Sequence, residues 1–410
     1  MGRPLRIGVV SPFLDKKHGT ERCVIEQVER LARNHACEIV LYSQDVEDIA
    51  LSDAQPDASY GRVTWRKIPD IPGALLNRYV WFFLANHAVR WRDRRKGIFT
   101  PDVLYSPGIN CFDANVISVH IVFAEFYARV RNELSLYRNP FRSWPLLLHR
   151  KMYYRLIMVL EQCIYRQERT ALTTVSNKVA EVLQRRYERK NPVCVIHHGV
   201  DEQQFNPAVR ERLRLLARQS LNLPDSAYVL LLVGNGWKNK GLGTLLRAIT
   251  QLQNPAISAL IVGRDDPTPY LSFIRSRNLE RQVLFLPVRS DVEWYYAAAD
   301  AYIGPSLNDA FALPPLEAMA CGVSAVVSRQ AGISEIVTHG VDGLIIENPE
   351  DCNELASLLQ TLISGSDFSR NIAANGARTA RKYTWDKNAE RLHTLFLQIQ
   401  ENRTAEAFRD

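Results

Sequence analysis

The chain has 410 residues, 46% hydrophobic and 23% charged, an ordinary globular composition with length for two or three domains. No run of about 18 apolar residues occurs, which excludes a membrane-spanning helix. The net charge of +7 fits an anionic partner, and is also common among cytosolic proteins without one. The seven cysteines are odd in number and scattered, with no C-x-x-C pair, so they read as reduced thiols of a cytosolic protein rather than a disulfide framework.

The start, MGRPLRIGVVSPF, has too short an apolar run for a signal peptide and lacks a small-residue cleavage site. It reads as a first strand, LRIGVVS (5–11), followed by a helix from Glu21 to Arg33. CEIVLYS (37–43), DVLYS (102–106), NVISVH (115–120), LTTVS (172–176) and VCVIHHG (193–199) continue as strands, with a domain boundary near 200–210. Beyond it, short apolar runs alternate with helical patterns. YVLLLVG (228–234), ISALIVG (257–263), VLFLPV (283–288), AYIGPS (301–306) and SAVVS (324–328) are strands. KGLGTLLRAITQLQ (240–253), DVEWYYAAA, PLEAMAC, SEIVTHG and ELASLLQTLI are helices, and YTWDKNAERLHTLFLQIQEN closes as an amphipathic one. Strands apolar throughout, alternating with helices, predict parallel sheets covered on both faces.

The polar residues then gather at one edge. Ser11 to Gly19, Ser106, His120, Ser176 and His198 follow strands of the first half. The 234–240 loop, Arg264 and the 306–309 loop follow strands of the second. That carboxyl edge is where open α/β sheets bind ligands, and two domains with such edges facing would enclose a cleft.

The stretch SLNDAFALPPLEAMACG (306–322) carries two acids, Asp309 and Glu317, with seven residues between them. Pro315 suits a first helical residue and Gly322 the position past a helix end, which places Glu317 in the first turn and Asp309 on the loop before it. Free amides and the dipole at such a helix start favour anions. Two acids so placed suit an extended, hydroxyl-rich ligand with a diphosphate between its sugars. The plain alternative is a dipole partner and a turn starter.

The segment resembles the hallmark of glycosyltransferase family 4, E-G-F-G-L-P-x-L-E-A-M-A-x-G, standing here as D-A-F-A-L-P-P-L-E-A-M-A-C-G. VIHHGVDEQQFNP (195–207), VGNGWKNKG (233–241), AGISEIVTHGVDGLII (331–346) and YTWD (383–386) resemble further marks of that family. The middle of the first half resembles lipopolysaccharide-core glucosyltransferases more weakly. The resemblance implies an α/β GT-B fold: two facing doubly wound Rossmann-like domains, 1–200 on the acceptor side and 201–384 for the nucleotide sugar. Residues 385–403 would form a C-terminal helix packed back on the first domain.

It further implies a retaining hexosyltransferase using a nucleoside-diphosphate sugar, with UDP the expected nucleotide. Glu317 would hold the ribose, Asp309 the transferred sugar and Lys240 the diphosphate. Gly19 in HGTER would let backbone amides approach that diphosphate. His120 would stand beside the donor sugar, the alternative for a lone histidine being core packing. Phe311, Ala312 and Leu313 would line the donor loop, and Arg264 would either border the nucleobase or form a surface salt bridge. Two departures stand out: Asp309 is one methylene shorter than the usual Glu, and Asn235 replaces an arginine, with Lys238 as its candidate substitute.

No Asp-x-Asp triplet occurs, so neither a metal nor another cofactor is expected. Two first-half segments, 75–97 and 139–167, mix aromatic and basic residues, among them Trp81, Arg90, Arg92, Trp144, Arg150 and Lys151. Such helices suit an anionic membrane surface, or else a core with a solvated basic face. The expectation is a cytoplasmic enzyme, peripheral on the inner face of the plasma membrane. Its acceptor would be a glycan or lipid-linked molecule such as lipopolysaccharide core, with no nucleic-acid partner. The rival readings are an inactive GT-B scaffold and another GT-B enzyme such as a nucleotide-sugar epimerase.

Overall fold

The computed structural model describes residues 3–16, 19–49, 51, 61–132, 134–135, 137 and 140–407. His18 of HGTER and Asn139 lie outside them. The chain divides into two compact units, Met1–His197 with Trp385–Asp410, and His198–Thr384.

In chain order the first unit has β1 (Arg6–Val10), β2 (Phe13–Leu14), α1 (Gly19–His35), β3 (Glu38–Ser43), β4 (Asp45–Val46), β5 (Arg62–Lys67) and α2 (Leu75–Arg95). It continues with β6 (Val103–Pro107), β7 (Val116–Val119), α3 (Phe123–Val130), α4 (Trp144–Tyr165), β8 (Ala171–Thr174), α5 (Asn177–Tyr187) and β9 (Cys194–Val195). Among the described residues its main sheet has seven strands, ordered β5-β3-β1-β6-β7-β8-β9 and paired in parallel. The central strands are buried on both faces, hence their largely apolar runs. The edge strand RVTWRK instead carries charges, which discourage further strand pairing.

The second unit has α6 (Pro207–Ser220), β10 (Tyr228–Val233), α7 (Leu242–Leu252), β11 (Ile257–Val262), α8 (Thr268–Ser276), β12 (Val283–Leu286) and α9 (Glu293–Ala298). Then come β13 (Ala301–Gly304), α10 (Leu313–Ala320), β14 (Ser324–Ser328), β15 (Leu344–Ile346), α11 (Cys352–Ser364) and α12 (Ser366–Ala380). Its described sheet is β12-β11-β10-β13-β14-β15, again parallel. Local signals set the helix starts: Asn206 accepts the Val209 N–H at 2.9 Å with Pro207 opening α6, and Asp351 caps α11.

The last helix, α13 (Trp385–Ala407), returns to the first unit. It packs along α1, and its Ala389, Leu392 and Phe396 join the core built on β1, β3 and β6. Asn388 fastens it, donating to the His197 carbonyl at 2.7 Å and accepting from Gln27 at 2.9 Å. One expected helix is corrected: SEIVTHG contributes only the end of a short 3-10 turn, Gly332–Glu335.

Candidate functional site

In the second unit β10 lies between β11 and β13, so the strand order reverses there. At such a switch point the loops leave their strands in opposite directions and open a crevice. Residues 234–241 leave β10, and residues 305–312 leave β13. Gly241, at φ +80°, allows the two loops to touch: a Cβ on it would sit 2.1 Å from the Pro305 carbonyl oxygen. Asn239 ties them further, donating from its side chain to the Asn308 carbonyl at 2.8 Å and accepting the Leu307 N–H at 2.7 Å.

This places Lys240 against Asp309, with Nζ 2.6 Å from Oδ2. The two side chains keep only 15% and 19% of their exposure, so the pair is shielded from water without being sealed in. The other carboxylate oxygen, Oδ1, accepts the Phe311 N–H at 3.2 Å. The cation and acid expected to serve a diphosphate and a sugar therefore satisfy each other here.

α10 starts after Ala312, whose φ of 72° and ψ of 104° are costly for a residue with a Cβ. Pro314 and Pro315 fill its second and third positions, so Leu313 is the first helical residue. Glu317 is consequently the fifth, in the second turn rather than the first. Of the backbone groups left without a helical partner at this end, the prolines supply no N–H, which leaves those of Ala312 and Leu313. Glu317 is 3% exposed and accepts the Tyr296 hydroxyl at 2.7 Å. Burial, then the Glu317 charge, raises the Tyr296 pKa well above the usual phenol range, so Tyr296 remains a donor. Tyr302 on β13 is raised in the same way, by burial and then by Asp309 and Glu317. Phe311 is buried and meets His198 edge to face at 5.4 Å.

The remaining loop residues form a clamp. Asn235 Oδ1 accepts the Arg264 N–H at 3.0 Å, and Asp265 accepts the N–H groups of Gly236 and Trp237 at 3.0 and 2.6 Å. Asn235 thus fastens the β10 loop to the β11 loop. The side chains of Lys238 and Arg264 are exposed. Sequence reasoning missed Tyr296, Asn239 and Asp265; their partners lie 21, 69 and 28 to 29 residues away, and no local pattern announces them.

In the first unit Gly19 is the exposed first residue of α1, with nothing within 4 Å of where a Cβ would stand. His120 follows β7, half-buried, with Nε2 3.1 Å from Ser118 Oγ. Burial pushes its pKa down to about 4, so the imidazole is neutral at pH 7. Among the described residues no three His, Cys, Asp or Glu side chains converge as a metal site would require.

The aromatic-basic segments are α2 and α4, which pack together. Trp81, Arg92 and Arg150 are exposed, while Trp144 and Lys151 are half-buried. Arg90 turns inward instead, forking onto Asp113 at 2.6 and 2.8 Å, and so leaves the outward basic face. No described helix is long and apolar enough to cross a membrane.

Two family profiles match this chain: Glycosyltransferase Family 4 over residues 18–204 and Glycosyl transferases group 1 over residues 214–379. The D-inositol 3-phosphate glycosyltransferase of Salinispora arenicola is 29% identical over 252 residues, 58% of this chain and 56% of that one. An N,N'-diacetylbacillosaminyl-diphospho-undecaprenol alpha-1,3-N-acetylgalactosaminyltransferase of Campylobacter jejuni is 28% identical over 232 residues, 56% of this chain and 60% of that one. The chain thus spans little more than half the length of these relatives. Among solved structures, WaaG, a glycosyltransferase involved in lipopolysaccharide biosynthesis, superposes with a TM-score of 0.75 over 95% of this chain and 99% of its own, at 17% identity. HepE of Anabaena, in complex with UDP and glucose, gives 0.67 over 96% and 100%, at 19% identity. These structural likenesses establish the GT-B fold. With both profiles matched in order along the chain, it belongs to the group 1 glycosyltransferases of family 4.

Proposed function

We propose that this chain transfers a hexose, with retention of configuration, from a UDP-sugar to a hydroxyl of a glycan or lipid-linked acceptor of the lipopolysaccharide-core kind. The observation that carries the reading is the Lys240–Asp309 pair at the switch point, with Glu317 held on the following helix. The UDP and glucose bound by HepE suggest the donor class. In this reading the diphosphate draws Lys240 away from Asp309 and takes its charge, and the freed carboxylate accepts from hydroxyls of the sugar. Glu317 accepts from the ribose hydroxyls, and neutral His120 is assigned to the donor sugar.

The acceptor oxygen bonds to the anomeric carbon on the face that the diphosphate leaves, and the departing phosphate oxygen takes the acceptor proton. Negative charge grows on that phosphate, where a lysine and the Ala312 and Leu313 amides offer compensation without a metal. We place the acceptor side at an anionic membrane face, cytoplasmic and peripheral, on the strength of α2 and α4.

The test is thermal unfolding against UDP, GDP, ADP and dTDP in EDTA. A nucleotide at 100 times its dissociation constant adds about 2.7 kcal/mol, which raises the midpoint by several degrees for a unit of this size. We expect UDP to produce the shift and Glu317→Ala to abolish it. A shift that EDTA removes would overturn metal independence. No shift from any nucleotide would favour an inactive scaffold, in which Lys240 and Asp309 serve only each other.

A further inference from the structure

The turn that carries His120 is fastened on both sides by side chains from other elements. On the strand side, Thr174 Oγ1 of β8 donates to the Val119 carbonyl at 3.0 Å. On the helix side, Glu161 of α4 accepts the N–H groups of Phe123 and Ala124 at 2.7 and 3.1 Å. These are the first two residues of α3, whose N-cap, Val122, makes no side-chain cap bond. Between the two fastenings stand only His120, Ile121 and Val122.

We propose that Glu161 is a positioning residue for His120: it caps α3 from the neighbouring helix and so fixes the turn on which the imidazole is carried. The proposal rests on the reading of His120 given above. Glu161 is fully buried, and its third donor is the Tyr187 hydroxyl at 2.9 Å. A buried carboxylate costs solvation, so a site that needed only packing would be met by Leu or Met. Three donors converge on it instead, two of them backbone groups that α3 leaves without a helical partner. A cap supplied within the chain segment, such as Ser at 122, would complete α3 but leave it free to shift against α4. A cap from α4 sets both the turn's conformation and its place.

The test compares Glu161→Gln with Tyr187→Phe in the full chain. The amide in Glu161→Gln keeps one acceptor oxygen and turns a donor toward an N–H, so both amides cannot be met. Tyr187→Phe removes only the third donor. We expect Glu161→Gln to speed hydrogen exchange at Phe123 and Ala124 about tenfold or more. The His120 titration midpoint, followed by NMR of labelled imidazoles, should rise by a unit or more as the ring gains water. Hydrolysis of UDP-glucose should fall about tenfold in kcat with KM within twofold, the signature of lost positioning. Tyr187→Phe should leave all three unchanged. A folded Glu161→Gln protein with native exchange and a native His120 midpoint would overturn the proposal. Should that variant not fold, Glu161→Asp, withdrawn by one methylene, is read the same way. If His120→Ala leaves hydrolysis untouched while Glu161→Gln moves exchange and midpoint, the assigned role of His120 fails and the positioning stands.

Discussion

At the scale of single residues, Lys240 and Asp309 pose a choice that the ligand has to settle. In the free protein the carboxylate occupies the lysine. Asp309→Asn removes that competition, a half-shielded interaction of about 1 kcal/mol, so UDP should bind several-fold more tightly. Transfer should weaken in the same variant, because an amide accepts less strongly from a sugar hydroxyl; kcat/KM falls about tenfold or more. Titration calorimetry and initial rates measure the two effects, and weaker UDP binding would mean that Lys240 does not meet the nucleotide. Ala312 makes a second case. The family pattern has glycine here, and the chain holds an alanine at φ 72°. Relief of strain exceeds glycine's extra unfolded-state entropy, so Ala312→Gly should stabilise the His198–Thr384 unit by about 1 kcal/mol. A higher urea midpoint for that unit is the expected result; a lower one would show that the loop is unstrained. Neither fact is visible in the string alone. Asp309 and Lys240 are 69 residues apart, and only the β10–β13 pairing makes them neighbours.

At the scale of elements, the sequence was most legible where strands are buried on both faces. YVLLLV, ISALIV and SAVVS stand out because no charged residue interrupts them and the few serines they hold are small. The edge strand RVTWRK was missed because its outward charges break that pattern, and β15 because three residues carry too little signal. The short 3-10 turn at 332–335 was overread as a helix because SEIVTHG has local helical spacing without the length to sustain it. Helix α13 was read from its amphipathic pattern and its return to the first unit from the family resemblance, whereas the side chains it buries there are a tertiary fact. Phe396 is fully buried beside Tyr105, with ring centroids 5.5 Å apart. Phe396→Ala should cost about 3–5 kcal/mol. In calorimetry the loss should appear in the transition of the first unit and leave that of His198–Thr384 in place. A shift confined to the second unit would contradict the packing described here.

At the scale of the whole molecule, apolar exposure is uneven. Of the 20 exposed large hydrophobic residues among those described, 14 lie between Leu75 and Val159, nine of them on α2 and α4. Exposed Arg92 and Arg150 stand on the same two helices. Co-sedimentation with vesicles rich in phosphatidylglycerol should capture the protein, weaken as salt rises, and fail after Trp91→Glu with Leu148→Glu. No capture by anionic vesicles would remove the membrane from the proposal. The return of α13 also has a consequence for the order in which the molecule is made. Ala389, Leu392 and Phe396 complete a core whose other residues come from the first 200 or so positions, yet the ribosome delivers them only after all of residues 198–384. At 5–20 residues per second that is a wait of roughly 10–40 s. Through it the second unit can close while the first, begun earlier, keeps an open apolar seam along α1. The nascent chain is therefore most in need of a chaperone just before α13 emerges.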